Sequence, residues 1–182
     1  MALLLEYSTD YGVTVKGDNL FIEGVFAKAM VKNENSRVYP IALLEREVSK
    51  LLPKIENKQL FGQLNHPEEP QIDLSRVAIR IDELFWVKNE LFGKAKVLDT
   101  PMGEIAKTLV REGQIGISSR GIGTVGADGI VRDNYQLITF DLVADPSTTE
   151  MVSCVHESIR RDDSFEKMMK IWIQKTRELN NK

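Results

Sequence analysis

Alternation of apolar and small or polar residues is the feature that most constrains how this chain folds. Ile115 and Ile117 lie on one side of such a run, and Gly116 and Ser118 lie on the other. Successive side chains of a strand point to opposite faces, so the pattern predicts a strand with one buried face. Other alternating or continuous apolar runs predict strands at residues 3–7, 13–15, 20–31, 60–67, 76–87, 91–98 and 135–143.

Helical spacing of apolar residues occurs between recognisable start and stop signals. Pro40 suits a first helical turn, and Pro53 is expected to end that helix. Thr100 caps a second helix, with Pro101 at its first position and Gly113 as its stop. The predicted helices cover about residues 40–52, the segment from Thr100 to Gly113, residues 147–159, and an amphipathic C-terminal stretch at residues 163–180.

These elements predict an α+β fold with a strand-rich, mixed or antiparallel core and flanking helices. The chain has 182 residues, which suffices for one domain with a real core. We divide it into a domain at residues 1–160 and a C-terminal helix at residues 161–182. That helix would cover the domain or dock on a partner or a second copy.

Composition excludes several classes of protein. The net charge of −3 argues against a large nucleic-acid footprint, and the single cysteine, Cys154, precludes an internal disulfide. The apolar start of the chain breaks at Glu6 and lacks basic residues, so we expect neither a signal peptide nor a membrane span. No metal-ligand spacing and no phosphate-binding glycine motif is present, so no cofactor is expected.

The sequence Q-I-G-I-S-S-R-G-I-G-T-V at residues 114–125 carries the strongest hint of chemistry. Ser118 would lie on the open face of the strand, whereas Ser119 would share the apolar face. A hydroxyl followed by glycine backbone with free N–H groups is what acyl transfer needs. Ser-Ser-Arg-Gly is also an ordinary way to end a strand, so the stretch requires a base before it indicates an enzyme.

The chain offers two histidines, His66 and His156. Pro67 holds His66 in an extended turn, where it is either a base at a strand end or a turn residue bonded to backbone. Asp141 lies inside an apolar strand and needs a partner. It caps the strand end, pairs with an arginine, or orients the ring of a histidine. From the residues alone, a serine hydrolase is one hypothesis, and an esterase on an unrelated fold stays open although a Gly-x-Ser-x-Gly elbow is absent.

Several separated motifs resemble those of the prohead core proteases of T-even-like tailed bacteriophages and occur in the same order as in that family. The family is distantly similar to the herpesvirus assemblins. The motifs are G-Q-L-N-H-P at 62–67, G-I-S-S-R-G at 116–121, F-D-L-V-A-D-P-S at 140–147, E-G-V-F-A-K-A-M-V-K-N-E-N-S-R-V-Y-P at 23–40 and E-L-F-W-V-K-N-E-L-F-G-K-A-K-V at 83–97. The resemblance covers roughly residues 20–150. It implies a barrel-like, assemblin-like core.

The resemblance also implies roles for particular residues. His66 would be the general base, Ser118 the nucleophile and Asp141 the third member of a triad. Ser119 is the alternative nucleophile, and His156 competes as third member because assemblins use a second histidine. The oxyanion hole is expected among backbone N–H groups near Arg120 and Gly121. The Arg120 side chain would either help to stabilise the oxyanion by its charge or only form a salt bridge.

The implied function is a serine endopeptidase that processes scaffold and capsid proteins, and itself, inside the prohead in the cytoplasm of an infected host. Cleavage would follow a glutamate with an aliphatic residue two positions earlier. Self-association is an open option, and neither nucleic acid nor membrane is expected as a partner. The alternative is a non-catalytic scaffold or capsid-interaction protein on a protease-like fold.

Overall fold

A computed structural model describes residues 1–8, 11–16, 18–67, 69–112 and 115–144. The helices predicted at residues 147–159 and 163–180, His156 and the proposed boundary at residue 160 lie outside the described residues. The described elements, in chain order, are β1 (Ala2–Ser8), β2 (Tyr11–Lys16), β3 (Asn19–Lys28), α1 (Ile41–Glu56), β4 (Phe61–Gln63), a 3₁₀ turn (Leu74–Arg76), β5 (Val77–Val87), β6 (Glu90–Val97), α2 (Pro101–Arg111), β7 (Gly116–Gly123) and β8 (Gln136–Val143).

The described strands form two sheets in which every neighbouring pair is antiparallel. One sheet has the order β1-β7-β8, and the other has the order β2-β3-β6-β5-β4. The predicted α+β class is confirmed, but within the described ranges the strands do not close into one barrel. The sheets meet where Leu64, just after β4, bridges Leu142 on β8. This junction brings residues from both sheets into one site.

Strand β7 is the centre of the smaller sheet, with β1 on one side and β8 on the other. Glu6 on β1 fastens the outer strand to the loop before α1. Its carboxylate accepts hydrogen bonds from Arg37 and Tyr39, at 2.8 and 2.7 Å, and from the Asn35 amide at 2.8 Å. Charged hydrogen bonds of this kind are the stronger ones. They hold β1 in register beside the serine-bearing strand.

Helix α1 is longer than predicted, because Pro53 lies inside it rather than ending it. Proline removes one N–H from the helix ladder, but a single turn can continue beyond it when its side chains pack. Ile55 packs against the core, and the Asn57 N–H still donates to the Pro53 carbonyl at 3.1 Å. Helix α2 begins as predicted, with the Thr100 hydroxyl accepting from the Gly103 N–H at 3.0 Å.

Among the described residues, neither helix combines the length and apolar character needed to cross a membrane.

Glu83 on β5 carries a charge in an unfavourable place. Burial raises the pKa of Glu83; the Lys94 charge opposes this, and the charges of Glu23 and Asp82 add to it. A carboxyl whose pKa is raised by folding contributes less stability as pH rises through that pKa. We expect Glu83→Gln to increase the free energy of unfolding at pH 7 by about 0.5 kcal/mol. The gain should vanish at pH 4, which lies below the ordinary pKa of a glutamate, because the Glu83 carboxyl is then neutral in the folded chain.

Urea unfolding of wild type and Glu83→Gln at both pH values checks this prediction. Glu45→Gln is the matched control, since Glu45 is an exposed residue of α1. A Glu83→Gln chain that is less stable than wild type at pH 7 would contradict the argument.

Candidate active site

Three side chains form a hydrogen-bonded line at the junction of the two sheets. Ser118 Oγ lies 2.7 Å from His66 Nε2, and His66 Nδ1 lies 3.0 Å from Asp141 Oδ2. Ser118 and Asp141 are buried, whereas the His66 side chain keeps 17% of its surface exposed. The imidazole therefore joins a buried acid to a serine and still reaches solvent.

The strand register explains why Ser118 and Asp141 face the same side. They are directly opposite each other in the antiparallel β7–β8 pair. Cross-strand neighbours project from the same face of a sheet, so the register places both side chains together. Ile117, one residue earlier, is fully buried in the core on the other face. Ser118 lies on the face opposite Ile117, as alternation predicted, but that face is not open, since Ser118 is 2% exposed and β7 is buried along almost its whole length.

His66 comes from the turn after β4, in the larger sheet. Asn65 has a positive φ of 63°, which turns the chain sharply before the histidine. Asparagine tolerates this conformation better than most residues with a side chain. The Asn65 N–H donates to the Leu142 carbonyl at 2.7 Å, next to Asp141 in the chain. The turn is thus anchored on the strand that carries the acid.

Asp141 is fully buried, but its carboxylate is well provided with partners. Oδ1 accepts from the Gln63 backbone N–H at 2.8 Å and from Arg120 Nη2 at 3.1 Å. Oδ2 faces His66 and lies 2.8 Å from Arg120 Nε. The two partners considered for this acid, an arginine and a histidine, are therefore both present. A buried carboxylate needs this kind of compensation.

Arg120 and Gly121 lie inside the sheet, where β7 pairs with a neighbour on each side and a register shift in β8 lies opposite them. The Arg120 guanidinium is directed at Asp141 and at Gln63. The oxyanion role of this pair stays a prediction.

Gln63 is a site residue that the sequence analysis did not predict. The signal that could have identified it is a polar residue within the short apolar run before the Asn-His-Pro turn.

Ser119 faces the opposite side of β7 and lines a cavity of about 230 Å³ with Glu6 and Tyr39. Burial raises the pKa of Tyr39, and the neighbouring Tyr135 and Glu6 raise it further. Burial likewise raises the pKa of Tyr135, followed by the Glu6 charge. Both phenols are therefore protonated, and the Glu6 carboxylate already accepts several hydrogen bonds. This side of the strand gives Ser119 a poorer setting for activation than His66 gives Ser118.

The line of side chains can perform proton transfer. With Nδ1 donating to Asp141, the His66 ring has Nε2 free to accept a proton from the serine hydroxyl. A serine next to such a base, with the base oriented by a third group, is the arrangement of an activated nucleophile. Among the described residues, no group of three or more histidine, cysteine, aspartate or glutamate side chains could hold a metal ion.

Comparison with known proteins identifies a family, a similar sequence and a similar structure. Residues 4–158 match the profile of a family described as prohead core protein serine protease. The chain is 35% identical over 140 residues to the prohead core protein protease of Enterobacteria phage T4. The matched region covers 72% of this chain and 66% of that relative's length. It is also similar to the structure of the bacteriophage T4 capsid assembly protease, with a TM-score of 0.70, 32% identity and coverage of 79% of this chain and 98% of that one.

Proposed function

The chain belongs to the family of prohead core protein serine proteases, which its motifs resemble, and from this premise we propose that it is a serine endopeptidase. Ser118 is the nucleophile, His66 the general base and Asp141 the third member of the triad. The observation that carries the proposal is the hydrogen-bonded line from Ser118 Oγ to His66 Nε2, at 2.7 Å, and from His66 Nδ1 to Asp141 Oδ2, at 3.0 Å.

The reaction proceeds through an acyl-enzyme. Ser118 Oγ forms a bond to the scissile carbonyl carbon while His66 Nε2 takes the hydroxyl proton. The imidazolium then gives that proton to the leaving amine as the C–N bond breaks, which leaves an ester on Ser118. Water attacks the ester with His66 as base, and the serine departs with its proton restored. Asp141 holds the imidazole tautomer and stabilises the imidazolium.

The negative charge that develops on the carbonyl oxygen needs donors held in place. We assign this role to backbone N–H groups at Arg120 and Gly121, opposite the register shift in β8 that interrupts the regular pairing of β7 at this point. Removing one such donor from a serine protease costs about 10²–10³ in kcat. No metal or organic cofactor enters any step.

The substrates we propose are prohead scaffold and capsid proteins, with self-cleavage. The names of the similar sequence and of the similar structure, both from phage T4, support this assignment, the first as a prohead core protease and the second as a capsid assembly protease. The place of action is then the prohead interior, within the cytoplasm of the infected host. Cleavage after glutamate, with an aliphatic residue two positions earlier, is the corresponding specificity.

A fluorophosphonate probe tests whether the serine is activated. We expect the probe to modify wild type at Ser118, as identified by peptide mass, because only a serine beside a base reacts readily. Ser119→Ala should be labelled as fast as wild type, and Ser118→Ala should not be labelled.

A wild-type chain that is neither labelled nor able to cut a glutamate-containing peptide would instead support the non-catalytic scaffold protein. A chain that is labelled and hydrolyses a small ester, but cuts no peptide, would favour the esterase.

A further inference from the structure

Arg120 is a fully buried cation beside the triad. It is the largest of the side chains that are almost completely withdrawn from solvent. A guanidinium keeps its charge in proteins, and moving it out of water costs several kcal/mol unless partners replace the lost hydration. Its position is therefore informative, because the groups around it must supply that replacement.

One side of the guanidinium faces the Asp141 carboxylate. Arg120 Nη2 donates to Asp141 Oδ1 at 3.1 Å, and Nε lies 2.8 Å from Oδ2 in an ion-pair contact whose N–H is not well aligned with that oxygen. The same Oδ2 lies 3.0 Å from His66 Nδ1. Arg120 thus contacts both oxygens of the carboxylate that orients the imidazole, and a planar fork of this kind restricts carboxylate rotation.

The other side of the guanidinium reaches the chain just beyond the His66 turn. Nη1 lies 3.3, 3.3 and 3.2 Å from the backbone carbonyls of Glu69, Pro70 and Gln71, respectively. These contacts are individually long, but three carbonyl dipoles converge on one nitrogen. The segment 69–71 is therefore tied to the same side chain that holds the acid.

Gln63 completes the connection. Its side-chain oxygen accepts from Arg120 Nη2 at 2.8 Å, and its backbone N–H donates to Asp141 Oδ1 at 2.8 Å. Its amide nitrogen donates to the Asp73 carbonyl at 3.1 Å. Arg120 and Gln63 together link the chain on both sides of His66 to the buried carboxylate.

We propose that Arg120 is a positioning residue, which fixes the Asp141 carboxylate and the segment 69–71 and thereby sets the orientation of the His66 ring. The inference rests on the proposed function and adds a role for the guanidinium that differs from contact with the oxyanion. The side chain acts through the acid and the histidine. It does not touch the reacting atoms.

The first experiment measures the position of the imidazole without requiring catalysis. The chain has two histidines, His66 and His156, so a ¹⁵N-histidine NMR spectrum of the full chain is simple, and His156→Gln assigns it. We expect wild type to show a His66 Hδ1 resonance that is shifted downfield and protected from exchange by Asp141. Arg120→Met and Arg120→Lys should lose it through exchange or ring rotation. Lysine keeps the charge but cannot form the fork.

The second experiment measures the rate of fluorophosphonate acylation of the same chains. Misplacement of a catalytic group by about an ångström costs on the order of 100-fold in rate, and we expect the acylation rate of Arg120→Met to fall by this factor. In peptide hydrolysis by the same variant, kcat should fall while KM stays nearly constant. Arg132→Met is the matched control, because Arg132 also pairs with an aspartate, Asp128, but on the surface. It should keep both the Hδ1 signal and the acylation rate.

The outcomes separate the two proposals. Folded Arg120 variants, as judged by circular dichroism, that keep the Hδ1 resonance and the wild-type acylation rate would overturn the positioning role. If Arg120→Met does not fold, Arg120→Lys decides by the same two readouts. A wild-type chain that is not acylated, but whose Hδ1 resonance still depends on Arg120, would support the positioning role and refute the protease.

Discussion

Ser118→Ala is expected to lower kcat for peptide hydrolysis by about a millionfold, the scale seen when a triad serine is removed. Ser118 Oγ is the oxygen that lies 2.7 Å from His66 Nε2, so alanine removes the atom that forms the acyl-enzyme. Ser118 is 2% exposed, and alanine removes one hydroxyl without changing the strand, so the fold should persist. Intact mass after incubation, together with hydrolysis of a glutamate-containing peptide, measures the effect.

Ser119→Ala is the matched control, since it removes the same atom from the next residue of the same strand. Ser119 lines the cavity on the other face of β7, away from His66. We expect its kcat to stay within a few-fold of wild type. If Ser119→Ala abolished cleavage and Ser118→Ala did not, the nucleophile assignment would be wrong. Equal activity in all three chains would remove serine from the mechanism.

Local features of the fold were predictable because they depend on neighbouring residues. Alternation predicted which face Ser118 occupies, and the Thr100-Pro101 signal predicted the start of α2. Pro53 was misjudged because one missing hydrogen bond is offset by the packing of Ile55, which depends on the tertiary structure.

Long-range arrangement could not be predicted in the same way. No local pattern indicates that β1 pairs with β7 while β2, the next strand in the chain, joins a different sheet. Glu6 on β1 also bonds to a loop about thirty residues later in the chain. The periodicity of apolar residues indicates which face of a strand is buried, but it does not indicate which distant residues that strand contacts.

The candidate site was predictable in its residue types but not in its connections. Each of His66, Ser118 and Asp141 stood out locally, and the family resemblance grouped them. The sequence left Asp141 with an arginine or a histidine as partner, whereas the structure gives it both. The second partner became visible only when the β7–β8 register placed Arg120 and Asp141 on one face. Gln63 could not be identified from the sequence because its role depends on the junction of the two sheets, where Leu64 bridges Leu142.

Asp141→Asn is expected to lower kcat by about 10⁴-fold, the effect of the same change in other serine proteases. Asparagine fills the same space, but it can present an N–H to His66 and thus favour the wrong imidazole tautomer. It also offers no charge to stabilise the imidazolium. The kinetics of peptide hydrolysis measure this loss, and the His66 Hδ1 resonance should disappear with it.

The same substitution should also destabilise the fold, for a separable reason. Arg120 is fully buried and would lose its anionic partner, and breaking one side of a buried ion pair costs about 3–5 kcal/mol. Asp128→Asn is the matched control, because it breaks an exposed pair with Arg132, which is worth about 1 kcal/mol or less. Urea unfolding of both variants compares the two costs.

Adding Arg120→Met to Asp141→Asn separates stability from orientation. The double variant removes both buried charges, so its free energy of unfolding should recover towards wild type. Its kcat should stay as low as that of Asp141→Asn, because the group that orients the imidazole is still missing. If Asp141→Asn alone kept nearly full activity, Asp141 would not be the third member of the triad, and His156→Gln would become the decisive variant. If activity returned together with stability in the double variant, the loss in Asp141→Asn would be a folding defect, and the acid would have no orienting role.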